Sequence, residues 1–211
     1  MEEKKSTQRY AMEDVPAAAA LLRSGGLVAV PTETVYGLAA QAGDDKAVRA
    51  IYETKGRPQD KPLSILVSGM DMVEQYTRNI PDAAYHLAKR YWPGPLTMVL
   101  EDGGRVASAV TCGGNTLGVR CPDHPMTLAL IKALGAPLAA PSANPSDLPS
   151  PKTAQAVLDY FDGRIEAVLD GGACGLGVES TILSLVGEEP AILREGGLPG
   201  EELLKFLKEL T

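Results

Sequence analysis

The chain carries only two histidines, His86 and His124, and three cysteines, Cys112, Cys121 and Cys174. With so few imidazoles and no Cys-x-x-Cys pair, a histidine-rich metal site, a zinc ribbon and a disulfide scaffold are excluded, and a reducing compartment is implied. Aromatic residues amount to 5%, which argues against a base-stacking platform for RNA. Positive charge is also short: 20 Lys+Arg stand against 27 Asp+Glu, a net charge of −7. A broad basic face for duplex nucleic acid is therefore not expected, because such a face must neutralise phosphates. The longest uncharged runs, Val106–Val119 and Ala133–Ser146, are interrupted by Gly, Pro, Ser or Asn and fall short of the ~18 apolar residues a spanning helix needs. Met1-Glu-Glu-Lys-Lys5 is followed by no apolar h-region. These absences lead to the expectation of a soluble, cytoplasmic protein with no membrane partner.

What is present is an ordinary globular composition: 211 residues, 45% hydrophobic and 22% charged, with 22 Gly and 16 Pro promising shaped loops. A chain of this length buries a full core, and one domain over 1–211 is expected, with a short C-terminal helix over 200–211. Helical spacing predicts helices at Pro16–Ser24, Asp45–Lys55, Met70–Tyr76, Pro81–Tyr91, Pro125–Leu134, Thr153–Asp162 and Glu201–Leu210. Short apolar runs predict strands at Leu27–Val30, Leu63–Val67, Leu96–Leu100, Leu117–Cys121, Leu138–Ala140, Ala167–Leu169, Thr181–Val186 and Ala191–Leu193. Many of these strands are apolar on both faces and must be covered by helices. Strands and helices alternate without a strict βαβ rhythm. The expected fold is α/β, an open twisted mixed parallel/antiparallel sheet flanked by helices, with a central cleft.

The polar residues gather where strands end, and ligands of open α/β sheets bind in the crevice outside strand ends. Lys55, Arg57 and Lys61 set three cations in seven residues, stiffened by Gly56, Pro58 and Pro62. Such a cluster suits an anion, since a guanidinium grips phosphate or carboxylate in a fork. It is equally compatible with a solvated loop after a helix C-terminus. Thr32, Thr34 and Tyr36 follow a buried strand at alternating positions; in an extended chain they share one face, with Glu33 pointing away, to solvent or a magnesium ion. Ser142 and Asn144 alternate after another strand and either bind a ligand or cap a turn. Arg120 emerges from a buried segment and must find an anion.

Several catalytic engines are missing. No G-x-x-x-x-G-K-[ST] loop, no G-x-S-x-G elbow and no convincing G-x-G-x-x-G turn occurs in the sequence. Nothing orients His124 as a base for Ser142. Cys121, beside Arg120, is better explained as a small buried residue than as a reactive thiol.

Taken together, Pro31-Thr-Glu-Thr-Val-Tyr-Gly-Leu38, Lys55-Gly-Arg-Pro58 with Lys61-Pro-Leu63, Ser142-Ala-Asn144, Gly177-Val-Glu-Ser-Thr-Ile182 and Leu193-Arg194 resemble the YrdC-like threonylcarbamoyl-AMP synthase family. Trp92-Pro-Gly-Pro-Leu-Thr97 and Val119-Arg-Cys-Pro-Asp123 also look like family sequence, and the resemblance runs from about residue 12 to 197. It implies an L-threonylcarbamoyladenylate synthase, a nucleotidyltransferase making threonylcarbamoyl-AMP and pyrophosphate from L-threonine, bicarbonate and ATP. The product would pass to transfer proteins that modify tRNA adenosine 37. By resemblance Lys55 and Arg57 are catalytic, and Arg57, Lys61, Thr116, Asn144, Ser150 and Arg194 contact ATP. Thr34, Arg120, Ser142 and Ser180 take threonine, and Thr32 and Tyr36 share the pocket. Mg2+ would be held through the phosphates, with no protein ligand set, and the 55–61 loop is the candidate lid.

Two departures stand out: some family members have asparagine at the position of Lys61, and some have histidine at that of Leu66. The chain resembles the single-domain form. YrdC-like domains have also been linked to RNA, against which the net charge of −7 speaks. Related modules in hydrogenase maturation form carbamoyl-adenylate, in chains with acylphosphatase or zinc-finger segments that have no counterpart here.

Overall fold

The computed structural model describes residues 6–210. β1 (Gln8–Tyr10) leads through a 3-10 turn into α1 (Val15–Arg23), β2 (Val28–Val30) and β3 (Gly37–Gln41). Then come α2 (Asp45–Lys55), β4 (Ser64–Leu66), α3 (Met70–Tyr76), β5 (Thr77–Arg78) and α4 (Asp82–Tyr91). The middle forms β6 (Leu96–Asp102), α5 (Ser108–Thr111), β7 (Thr116–Arg120), α6 (Pro125–Leu134) and β8 (Leu138–Ala139). The last elements are α7 (Ala154–Phe161), β9 (Ala167–Leu169), β10 (Thr181–Ser184), β11 (Ala191–Arg194) and α8 (Gly200–Lys208).

The strands make one mixed sheet in the order β1-β9-β2-β3-β8-β4-β7-β6-β10-β11, with β5 added against β6. β1–β9, β2–β9, β4–β7 and β6–β10 are parallel, and the remaining neighbours are antiparallel. Successive strand residues feed opposite cores. Ala29 and Leu38 join the larger core with α2, α4, α7 and α8, whereas Val28, Val30 and Ala39 join the smaller one under α1 and α6. This two-sided burial removes the alternation that would mark a half-exposed strand. Each fully buried Leu, Ile or Val in it stabilises the fold by roughly 1.5–3 kcal/mol.

Local signals account for the helices. In α1 the buried residues Val15, Ala18, Ala19 and Leu22 fall on one stripe, and a proline opens its first turn. The Asp44 carboxylate accepts from the Ala47 N–H to start α2. Gly56 ends that helix at φ +62°, a left-handed conformation that a side chain disfavours.

The predicted elements all occur, α2, α3, α6 and β9 at the predicted bounds and the others within a residue or two of them. Four more were not foreseen: β1, β3, β5 and α5. β1 and β5 are too short to show a period, and β3 (Gly-Leu-Ala-Ala-Gln) has small residues buried on both faces. The strand expected over Thr181–Val186 ends at Ser184, whose hydroxyl accepts from the Val186 N–H and turns the chain.

Candidate active site

The sheet register builds the floor of a cavity. Parallel pairing sets Ser64 beside Gly118 and Leu66 beside Arg120. β6 runs antiparallel to β7, with Val99 opposite Gly118 and Met98 opposite Val119, so continuing by one residue brings Thr97 beside Arg120. Ile182 of β10 pairs with Thr97 in turn. Leu66, Arg120, Thr97 and Ile182 thus form one row across four strands, with Ser64 in the next row, and all five line the cavity. The walls are loops: Thr32–Val35, Arg57 with Pro62 and Leu63, Pro141-Ser142, and Glu179-Ser180 with Arg194. The cavity volume is about 170 Å³. That is smaller than the ~300–1,000 Å³ pockets that take drug-sized ligands; it has room for an amino acid, and a nucleotide bound with it would extend through the open side.

Three guanidiniums converge here, each anchored to the fold. Arg57 donates from Nε to the Lys61 carbonyl (3.2 Å) and from Nη2 to that of Pro62 (3.1 Å), clasping its own loop. Arg194 donates to the Ser180 carbonyl from Nε (3.2 Å) and Nη2 (2.7 Å) and to the Ser180 hydroxyl (3.2 Å). Desolvation lowers the pKa of Arg194; Glu179 opposes this, and Arg120 and Arg57 add to it. Arg120 donates from Nε to the Gly94 carbonyl (3.2 Å) and from Nη2 to Glu33 Oε1 (2.6 Å). This pair is nearly enclosed, with the side chains 9% and 15% exposed. Glu33 therefore does not face solvent or a metal ion. The 32–35 segment turns instead of running extended, because the Thr32 hydroxyl accepts from the N–H groups of Thr34 and Val35. The other Glu33 oxygen accepts from the Asp123 N–H (3.0 Å). The anion that Arg120 required lies within the chain.

Hydroxyls fill the space between the cations. Thr32 and Thr34 share a hydrogen bond of 2.8 Å, as do Thr97 and Ser180. In each pair one hydroxyl proton is used between the partners. Glu179 is the one carboxylate among the described lining residues; the Ser150 hydroxyl donates to it at 2.6 Å and holds its pKa low.

The remaining predicted residues do not line the cavity. The same turn that redirects Glu33 sends Tyr36 into the core, where its hydroxyl donates to the Gly172 carbonyl (2.8 Å) and burial raises its pKa to about 12. Lys55 is buried in the last turn of α2 and donates to the carbonyls of Ser142 and Asn144. It braces the Ser142 loop from behind, and burial, then Arg57, lowers its pKa to about 8. Asn144 donates to the carbonyls of Pro145 and Leu148 and holds that loop closed. Lys61 is exposed on the surface, and Thr116 opens β7 at the end opposite Arg120. Of the catalytic and binding candidates, Thr32, Thr34, Arg57, Arg120, Ser142, Ser180 and Arg194 come together; Lys55, Asn144 and Ser150 support them from behind.

Ser64 lies outside every motif, and Thr97 and Glu179 lie inside quoted motifs without having been assigned a place in the site. Thr97 carried a signal, as the last residue of the Trp92–Thr97 segment, but only cross-strand register sets it beside Arg120. Cys121 is buried, and that burial raises its thiol to about 11, so it is no nucleophile. His124 is likewise no partner for Ser142: burial lowers its pKa and its ring lies against Gly171.

Residues 20–196 match the Sua5/YciO/YrdC family model, described as "Telomere recombination". The chain belongs to the Sua5/YciO/YrdC family. A threonylcarbamoyl-AMP synthase of Pyrococcus abyssi is 49% identical over 193 residues, 92% of this chain and 57% of the relative. One from Bacillus subtilis is 48% identical over 187 residues, 88% of this chain and 54% of the relative. The chain thus spans a little over half the length of these two Sua5/YciO/YrdC relatives. The crystal structure of P. abyssi Sua5 complexed with L-threonine superposes with a TM-score of 0.92 at 45% identity, covering 96% of this chain and 61% of that one. The YrdC-like mixed sheet flanked by helices is therefore this chain's fold.

Proposed function

We propose that the chain is an L-threonylcarbamoyladenylate synthase. It joins L-threonine, bicarbonate and ATP into threonylcarbamoyl-AMP and releases pyrophosphate. The observation that carries this reading is the cavity itself, in which three anchored guanidiniums and a set of hydroxyls meet on a floor with room for one amino acid. Support comes from relatives named for this activity at 48–49% identity and from a relative whose structure holds L-threonine.

The chemistry needs no protein nucleophile. The neutral amine of threonine adds to CO2 derived from bicarbonate, losing a proton to give a carbamate. A carbamate oxygen then attacks the α-phosphorus of ATP, and the bond to pyrophosphate breaks. The protein supplies position and charge. Arg120 retains free N–H groups after bonding Gly94 and Glu33, and these take the threonine carboxylate. Thr34, Ser142 and Ser180 fix the rest of the amino acid. Arg57 and Arg194 offset the charge of the phosphates on the open side. No group of three or more His, Cys, Asp or Glu side chains able to hold a metal occurs among the described residues. Mg2+ would arrive on the phosphates and offset their charge, with Glu179 the carboxylate among the described lining residues. The product would be consumed by proteins that transfer its threonylcarbamoyl group to tRNA.

Pyrophosphate release from ATP, with and without L-threonine and bicarbonate, tests this in the wild type and Arg57→Ala. Release is expected to require both co-substrates, to yield an AMP-linked product by mass spectrometry and to vanish in the variant. Release that ignores threonine would refute the assignment.

A further inference from the structure

Ser64 lies on the cavity floor yet belongs to none of the motifs. It shares a strand face with Leu66, two residues on, and pairs with Gly118 of β7. Gly118 makes its position open: a Cβ there would stand 2.5 Å from Ser64 Oγ and 3.4 Å from Thr97 Cγ2. The hydroxyl therefore occupies ground that any other residue at 118 would cover. Among the described residues the Ser64 side chain makes no hydrogen bond, while its backbone carbonyl accepts from the Ala140 N–H.

Its neighbours define what it faces. Two residues before it is Pro62, whose carbonyl holds Arg57; two residues after it is Leu66, paired with Arg120. Rows two residues apart on a strand are about 6.6 Å apart, so Ser64 stands in the row between the Pro62 carbonyl that holds Arg57 and the Leu66–Arg120 pair. Leu66 offers no polar group in the adjoining row. A free hydroxyl in a cavity that Arg57 and Arg120 also line acts as a donor, because the ligand they attract brings oxyanions.

We propose that Ser64 is a further ligand-binding residue of this site, its hydroxyl donating to a substrate oxyanion held between Arg57 and Arg120. The inference rests on the synthase reading above and adds a residue to it. A hydrogen bond to a charged oxygen contributes about 1.5–3 kcal/mol, so Ser64→Ala should lower kcat/KM for threonine-dependent pyrophosphate release by roughly 10- to 100-fold. Since the hydroxyl has no partner in the protein, the same change should leave the melting temperature within about 1 °C.

Titrations of wild type and Ser64→Ala with L-threonine alone and with a non-hydrolysable ATP analogue alone identify the oxygen. Weaker binding in the first names the carboxylate, weaker binding in the second names a phosphate, and unchanged binding in both with slowed turnover names the transferring group. Turnover within twofold of wild type overturns the proposal, as does a drop in melting temperature that accompanies weakened binding of both ligands. A wild type that releases no pyrophosphate brings down the synthase reading and this inference together, whereas an active wild type matched by Ser64→Ala removes Ser64 alone.

Discussion

Replacing Lys55 by methionine removes an ammonium from the interior while keeping an unbranched side chain of similar length. Lys55 is 4% exposed and donates to the carbonyls of Ser142 and Asn144. Burial, followed by the field of Arg57, lowers its pKa from 10.5 to about 8. The unfolded chain holds this proton up to about pH 10.5, and the folded chain releases it near 8. Between those values the unfolded state binds more protons, so the folded state gains stability as pH rises. Below pH 8 the charged form is carried at its full desolvation cost. From pH 7 to pH 9.5 the gain amounts to about 2 kcal/mol, and the neutral amine still has two protons for its two carbonyls. Urea unfolding of wild type and Lys55→Met at half-unit intervals over this range measures it. The tyrosines and thiols that titrate nearby are common to both proteins and cancel in the difference. The wild type should gain about 2 kcal/mol relative to the variant. A difference that stays flat with pH would show that Lys55 titrates as it does in water, and the buried brace behind the Ser142 loop would have to be abandoned.

Glu33→Gln leaves the Arg120 guanidinium enclosed without its carboxylate, and stability should fall by about 3 kcal/mol in urea titration. Adding Arg120→Met should recover most of this, and a single-variant loss under about 1 kcal/mol would contradict the buried pair. For the thiols, a Cys121 pKa of about 11 leaves on the order of one thiolate per thousand at pH 8. Labelling at that pH followed by peptide mass spectrometry should find Cys112 and Cys174, which are partly exposed, modified before Cys121. Modification of Cys121 should await unfolding, and early labelling there would contradict its burial.

Much of the architecture was legible in the chain. The helical stripes of α1, α2 and α6, the Asp44 cap and the Gly56 stop are local signals, and local physics honours them. The mixed sheet followed from irregular alternation of helices and strands. Segments that hid did so for physical reasons: β3 is buried on both faces and shows no period, and β1 and β5 are two- or three-residue edges held by partners distant in sequence.

The candidate site divides along the same line. Arginine and hydroxyl positions were visible as residue types at strand ends, and Arg57, Arg120, Arg194, Ser142 and Ser180 do converge on one cavity. What each side chain is spent on was not visible. Spacing alone makes Thr32, Thr34 and Tyr36 one face, but the Thr32 hydroxyl bends the backbone and divides them, sending Glu33 to Arg120 and Tyr36 into the core. Lys55 reads as a loop cation, yet two carbonyls from a segment almost ninety residues away claim it. Ser64 and Thr97 become cavity residues only when β4, β7 and β6 pair in register. Composition and periodicity fix which segments form elements because those preferences act over a few residues. Which polar group meets which is decided by contacts between residues far apart in the chain, and those exist only once the sheet has closed.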